Sequence, residues 1–174
     1  MCRVVRYCLV ALTVMEFNCV GQPPGPGITC YNNEFHLDHS RPWNEQWFRV
    51  AFIRTRECQL DECQLDEIID MVRVNYPNMR EGPYSMGVDF VVWIGGRMPL
   101  CWGEAFANQR FALVYTEEIT DDLGWGDTPL VVMANVFCHE LGHLLGQDHT
   151  FNPTKFMADG QILMGHPVPV LLDP

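Results

Sequence analysis

Apolar and polar positions recur along this chain in patterns that mark out its elements before any chemistry is considered. Trp47 to Thr55, Trp-Phe-Arg-Val-Ala-Phe-Ile-Arg-Thr, is rich in aromatic and β-branched residues and bounded by polar ones, which predicts a first strand. Leu65, Ile68, Ile69, Val72 and Tyr76 follow at i, i+3, i+4, i+7 and i+11, one face of a helix, with acids toward its start, Arg73 toward its end and Pro77 to stop it. Val88 to Ile94, mostly apolar and closed by Gly95-Gly96, predicts a buried strand. Strand, helix, strand in this order predicts a parallel crossover. Cys101 to Phe106 and Phe111 to Thr116 predict two further short strands. A last helix starts at Thr128-Pro129, with threonine as N-cap and proline at the first helical position, and runs through Val131, Val132, Val136, Leu141 and Leu145 to Gly146. Asp127, just outside that start, is accounted for by capping and the helix dipole. The pattern as a whole predicts one α+β domain: a twisted mixed sheet packed on two helices, with a short irregular C-terminal part.

Between the first strand and the first helix lies a perfect tandem duplication, Glu57-Cys58-Gln59-Leu60-Asp61 followed by Glu62-Cys63-Gln64-Leu65-Asp66. Two copies of five residues match no repeat architecture, so this is a local duplication near a helix start.

The second helix carries the chemistry. His139-Glu140-Leu141-Gly142-His143-Leu144-Leu145-Gly146-Gln147-Asp148-His149 reads H-E-x-x-H-x-x-G-x-x-H. Positions i and i+4 of a helix lie on one face, so His139 and His143 can present two imidazole nitrogens to one ion. Gly146 permits a sharp stop, and the returning chain lets His149 supply a third nitrogen, leaving a fourth tetrahedral position for water. Glu140 is not needed as a ligand and is free to act as general base. Five such residues coincide by chance in a chain of this length about once in ten thousand or less. Chance is therefore set aside.

At these residues the sequence resembles the metzincin clan of zinc endopeptidases. The resemblance implies a metzincin-like single domain, one catalytic zinc held by His139, His143 and His149, Glu140 as base, and a methionine turn forming an apolar floor under the metal. Two methionines compete for that turn. Met157, eight residues after His149, has a spacing like that of matrix metalloproteases; Met164, in Asp159-Gly160-Gln161-Ile162-Leu163-Met164, is similar to the stretch found in reprolysin (adamalysin)-type secreted enzymes of venoms and tick saliva, and is the one preferred. The resemblance also makes residues near 102 to 107 the edge along which a peptide pairs. Close resemblance covers Val136 to Gly165; upstream only the order of elements agrees. Metzincins usually carry a long C-terminal helix, which Pro167, Pro169 and Pro174 do not allow in the last ten residues.

Composition narrows the setting. A net charge of -11 and a pI near 4.8 argue against nucleic acid or an anionic membrane as partner, and Lys155 is the single lysine. Arg3 and Arg6 followed by the apolar stretch Tyr7 to Met15 and small Gly21 read as a signal peptide over 1–21, with a Pro/Gly-rich linker over 22–30 and the catalytic domain over 31–174. No long inhibitory prodomain is expected. With Cys2, Cys8 and Cys19 in the signal, Cys30, Cys58, Cys63, Cys101 and Cys138 remain, and beside disulfide bonding an odd number in an oxidising compartment implies one free thiol or an intermolecular bridge; Cys138 is the candidate free thiol, and a small buried apolar role accounts for it better. His36 and His39 form a possible second metal pair, better explained as a solvated loop, and Asp121, Asp122 and Asp127 are dispersed carboxylates able to bind calcium. The reading is a secreted, monomeric zinc endopeptidase acting on protein or peptide substrates. The alternative is a secreted, non-catalytic metzincin-like binding protein, a toxin or inhibitor.

Overall fold

The computed structural model describes residues 37–38, 41–84, 87–123, 127–158 and 173. The segments read as signal peptide and linker lie outside these residues, as do Cys30, His36, His39 and Met164.

Five strands form one sheet. They are β1 (Phe48–Arg54), β2 (Met79–Glu81), β3 (Phe90–Ile94), β4 (Gly103–Phe106) and β5 (Phe111–Val114). Their order is β2-β1-β3-β5-β4, with every neighbouring pair parallel except β4, which runs antiparallel to β5 at one edge. Phe90, Val92 and Ile94 of β3 and Ala112 and Val114 of β5 are buried on the face turned toward the helices, the alternation that a strand's period of two requires.

Three helices accompany the sheet: α1 (Glu62–Asn75), α2 (Thr116–Leu123) and α3 (Asp127–Leu144). The predicted stripe Leu65, Ile68, Ile69 and Val72 is buried on α1 and meets the apolar residues Met133, Ala134, Phe137 and Leu141 of α3 in the core. The end of α1 is tied to α3 by polar contacts as well. The Tyr76 hydroxyl donates to the Cys138 carbonyl at 2.9 Å, and Asn75 Nδ2 lies 3.4 Å from the Cys138 sulfur. Burial also pushes the Cys138 thiol up to about 12, so it stays a neutral, packed side chain.

The duplicated pentapeptide adopts two conformations. Glu62 to Asp66 is helical, whereas Glu57 to Asp61 is irregular backbone leading into the helix. Asp61, the last residue of the first copy, accepts from Gln64 N at 2.8 Å, and the Gln64 side chain accepts from Asp61 N at 3.0 Å. This capping box spans the junction between copies, so identical sequence is helical only on the side the cap defines.

Two elements are not those the pattern predicts. The stretch ending in Thr116 stops as a strand at Val114 and passes directly into α2, and β2 is an additional three-residue strand after Pro77. Cys58, Cys101 and Cys138 carry free thiols among the described residues, so the expected disulfide bonding finds no support from them. Among the same residues no helix is long and apolar enough to cross a membrane.

Candidate metal centre

Helix α3 passes beneath the β4 edge of the sheet and carries His139, Glu140 and His143 into a cleft of about 970 Å³. The helix ends as the glycine in its motif requires. Gly146 has φ +84°, Gly146 N donates to the His143 carbonyl at 3.0 Å, and Gln147 N reaches back to Gly142 O at 2.9 Å, a Schellman closure. The chain reverses there and brings His149 back over the other two histidines.

The Nε2 atoms of His139, His143 and His149 lie 3.1, 3.0 and 3.2 Å apart pairwise. In His139 and His143 the second ring nitrogen fixes the tautomer. His139 Nδ1 is 2.7 Å from the Phe156 carbonyl oxygen and His143 Nδ1 is 3.0 Å from the Gln147 carbonyl oxygen. A carbonyl can only accept, so in both neutral rings Nδ1 carries the proton and Nε2 bears a lone pair. Two lone pairs facing each other at about 3 Å repel, and a cation at their common focus removes the repulsion. Nitrogens bound tetrahedrally to one zinc at about 2.0–2.1 Å lie about 3.3 Å apart. The observed spacing fits, and three imidazoles are the donor set of a zinc site with one position left open. Burial lowers the pKa of His143, which keeps that ring a neutral ligand.

Glu140 lies deep in the cleft wall, 5 % exposed, and makes no ion pair among the described residues. Burial, with a smaller contribution from the Glu104 carboxylate, pushes it up to about 8. It rests against the backbone of Gly103 in β4. A Cβ at Gly103 would fall 2.6 Å from Glu140 Oε1, so only glycine lets the carboxylate lie there.

The floor of the site is apolar. Met157 is buried, and its sulfur and methyl group press on Gly142, the residue before the second histidine; Phe156, whose carbonyl orients His139, packs on Tyr76 with ring centroids 5.6 Å apart. Thr150 N donates to Met157 O at 2.8 Å and closes this turn onto the strand of chain leaving His149.

The structure therefore brings together His139, Glu140, His143, Gly146 and His149, with Met157 beneath them. Met164, the preferred turn methionine, lies outside the described residues, so its place relative to the cluster is not given. Cys138 is buried against α1 and is not among the three gathered donors. Asp121 is engaged by Arg97 at 2.5 Å and Asp122 accepts from Trp102 Nε1 at 2.7 Å, and they form no second metal group among the described residues. Three parts of the site carry no motif signal: Gly103, Glu104 and the two orienting carbonyls. Of these only Gly103 left a trace, as a glycine interrupting a strand.

No protein-family model and no curated protein matches the chain. Among solved structures it is similar to archaemetzincin from Methanopyrus kandleri, with 14% identity over 65% of this chain and 81% of that one, at a TM-score of 0.53. The fold is metzincin-like. A zinc-dependent peptidase from Methanocorpusculum labreanum also aligns, with 12% identity over 63% of this chain and 87% of that one, at a TM-score of 0.49. In this metzincin-like domain the antiparallel β4 is one edge of the sheet and borders the three histidines across the cleft.

Proposed function

We propose that this protein is a secreted zinc endopeptidase that hydrolyses peptide bonds in protein substrates. The observation that carries the reading is the convergence of three imidazole Nε2 atoms beside an unpaired, buried carboxylate in an open cleft. A purely structural zinc site would close with a fourth protein ligand, and none is gathered here among the described residues.

His139, His143 and His149 would hold the ion, and the Phe156 and Gln147 carbonyls keep two of the rings in the ligating tautomer. When bound, zinc supplies Lewis acidity, making water acidic near neutral pH and drawing electron density from a carbonyl. Substrate pairs with the free edge of β4, which fixes its carbonyl near the histidines. Glu140 accepts a proton from water as the water oxygen bonds to the peptide carbon. It returns a proton to the amide nitrogen as the C–N bond breaks. A carboxyl held up to about 8 by burial is a competent proton carrier near neutrality, and a neighbouring cation favours its ionised form.

Met157 supports a methionine-turn floor through its packing on Gly142. The finer relationship to reprolysin-type enzymes rests on the Asp159 to Met164 stretch, and secretion rests on the N-terminal residues. The binding-protein alternative predicts retained zinc without turnover, and the presence of Glu140 weighs against it. The test is Glu140→Ala. The variant should keep one zinc per chain and lose at least about a hundredfold in cleavage of a broad protein substrate. Equal cleavage by variant and parent would overturn the assignment.

A further inference from the structure

We infer that Glu104 selects substrates carrying a lysine or arginine side chain at the position that pairs beside it on the β4 edge. This deepens the peptidase reading of the same cleft and rests on it.

Strand β4 presents two faces. Gly103 abuts Glu140 on α3 and Ala105 packs on the core, so Glu104 and Phe106 share the opposite face. Phe106 is held there by stacking on Phe111, its register partner, with centroids 4.7 Å apart. A substrate strand laid along the free side of β4 places every second side chain on this same face, directly beside Glu104 or one pair away. Glu104 thus meets a substrate side chain, whereas Glu140 on the other face meets the reacting amide.

The carboxylate is fixed but not neutralised. Tyr115 shares a hydrogen bond with Glu104, and the Cys101 thiol lies 3.9 Å from Glu104 Oε1. Both are neutral donors. No lysine or arginine pairs with Glu104 among the described residues, and none lines the cleft, whose charged walls are Glu104, Glu140 and Asp148 besides the histidines. A carboxylate has about four acceptor sites, so oxygen lone pairs remain for an incoming cation. A preorganised, unpaired anion on a pairing edge favours a cation across the strand and disfavours an anion there.

The test uses zinc-loaded protein and a panel of matched peptides in which lysine, glutamine or glutamate is moved through successive positions around the cleaved bond. Parent protein should favour lysine over glutamate at one position by about fivefold in kcat/KM. Glu104→Gln should bring that ratio below about twofold, and Glu104→Lys should invert it. Glu45→Gln removes an exposed charge outside the cleft and should leave the ratio intact. An unchanged ratio in Glu104→Gln, or an equal loss in Glu45→Gln, overturns the inference. The same peptides are titrated by fluorescence anisotropy. Lysine-selective binding that depends on Glu104, without cleavage of any peptide, would overturn the peptidase reading and uphold the charge selection. Binding without charge preference would overturn the selection alone. No binding would overturn both.

Discussion

Replacing Gly103 by alanine separates proton transfer from metal binding. The added Cβ would sit 2.6 Å from Glu140 Oε1 and 2.9 Å from both Cδ and Cγ. Ordinary contact begins near 3.4 Å, so the carboxylate must retreat by about 0.8 Å. The obstructing atoms are the far end of a flexible side chain, and Glu140 can rotate toward the open cleft. The stability cost should therefore fall at or below the low end of overpacking penalties, about 1 kcal/mol, a change of about 2–4 °C in Tm for a chain of this size. The catalytic cost should be much larger, because misplacing a reacting group by about 1 Å costs about a hundredfold. The three atoms nearest the new methyl group all belong to Glu140 and none to a histidine, so zinc should stay. The assay is kcat/KM on a fluorogenic peptide, with zinc content and Tm measured on the same preparation. A fall of about 10- to 100-fold at one zinc per chain is expected. Undiminished activity, or a loss matched by loss of zinc, would refute the placement of Glu140 against β4.

Three further outcomes follow from other contacts. Gly142→Ala drives a methyl group into the Met157 sulfur and crowds Phe156, so it should cost about 1–3 kcal/mol and weaken zinc binding, read by denaturation and by competition with a chelator. In metal-free protein the Glu140 carboxyl, held up to about 8 against 4.5 in an exposed chain, binds its proton more tightly when folded. The contribution of this group to stability is then fullest below pH 4.5 and is lost as pH rises from there to about 8, on the order of 5 kcal/mol for a shift of this size, and the difference between parent and Glu140→Gln in denaturation measured across the window should show it. Asp61→Ala opens the α1 capping box and should lower stability by about 1 kcal/mol without altering zinc content, as a thermal melt and metal analysis of one sample would show.

What the sequence made legible is what repeats or matches a spacing. The four buried apolar positions on α1 stand at helical intervals, the runs around β1 and β3 are apolar enough to be read as strands, and the ligand helix carries its own motif. Helix α2 was hidden because its start follows β5 without a turn and its surface is filled by Glu118, Asp121 and Asp122, which give no apolar run. Strand β2 has three residues and exists only through parallel pairing with β1. The site divides in the same way. Ligands and base are side chains at fixed spacing, but the groups that orient them are the Phe156 and Gln147 carbonyls, and every residue has a carbonyl. Gly103 touches Glu140, and Glu104 acts on it through its charge, only because β4, antiparallel to β5, lies over α3, a proximity made by topology. The two copies of Glu-Cys-Gln-Leu-Asp make the limit plain: the same five residues are irregular before the cap and helical after it.

The central claim is that three histidines hold a zinc ion whose chemistry Glu140 completes on a peptide bond. Its most direct test is cleavage of a broad protein substrate by protein with measured zinc content, before chelation, after it, and after zinc is returned. One zinc per chain, with cleavage lost on chelation and restored with the metal, is the predicted result. Cleavage that survives complete removal of zinc, or its absence from protein carrying one zinc per chain, would contradict the account.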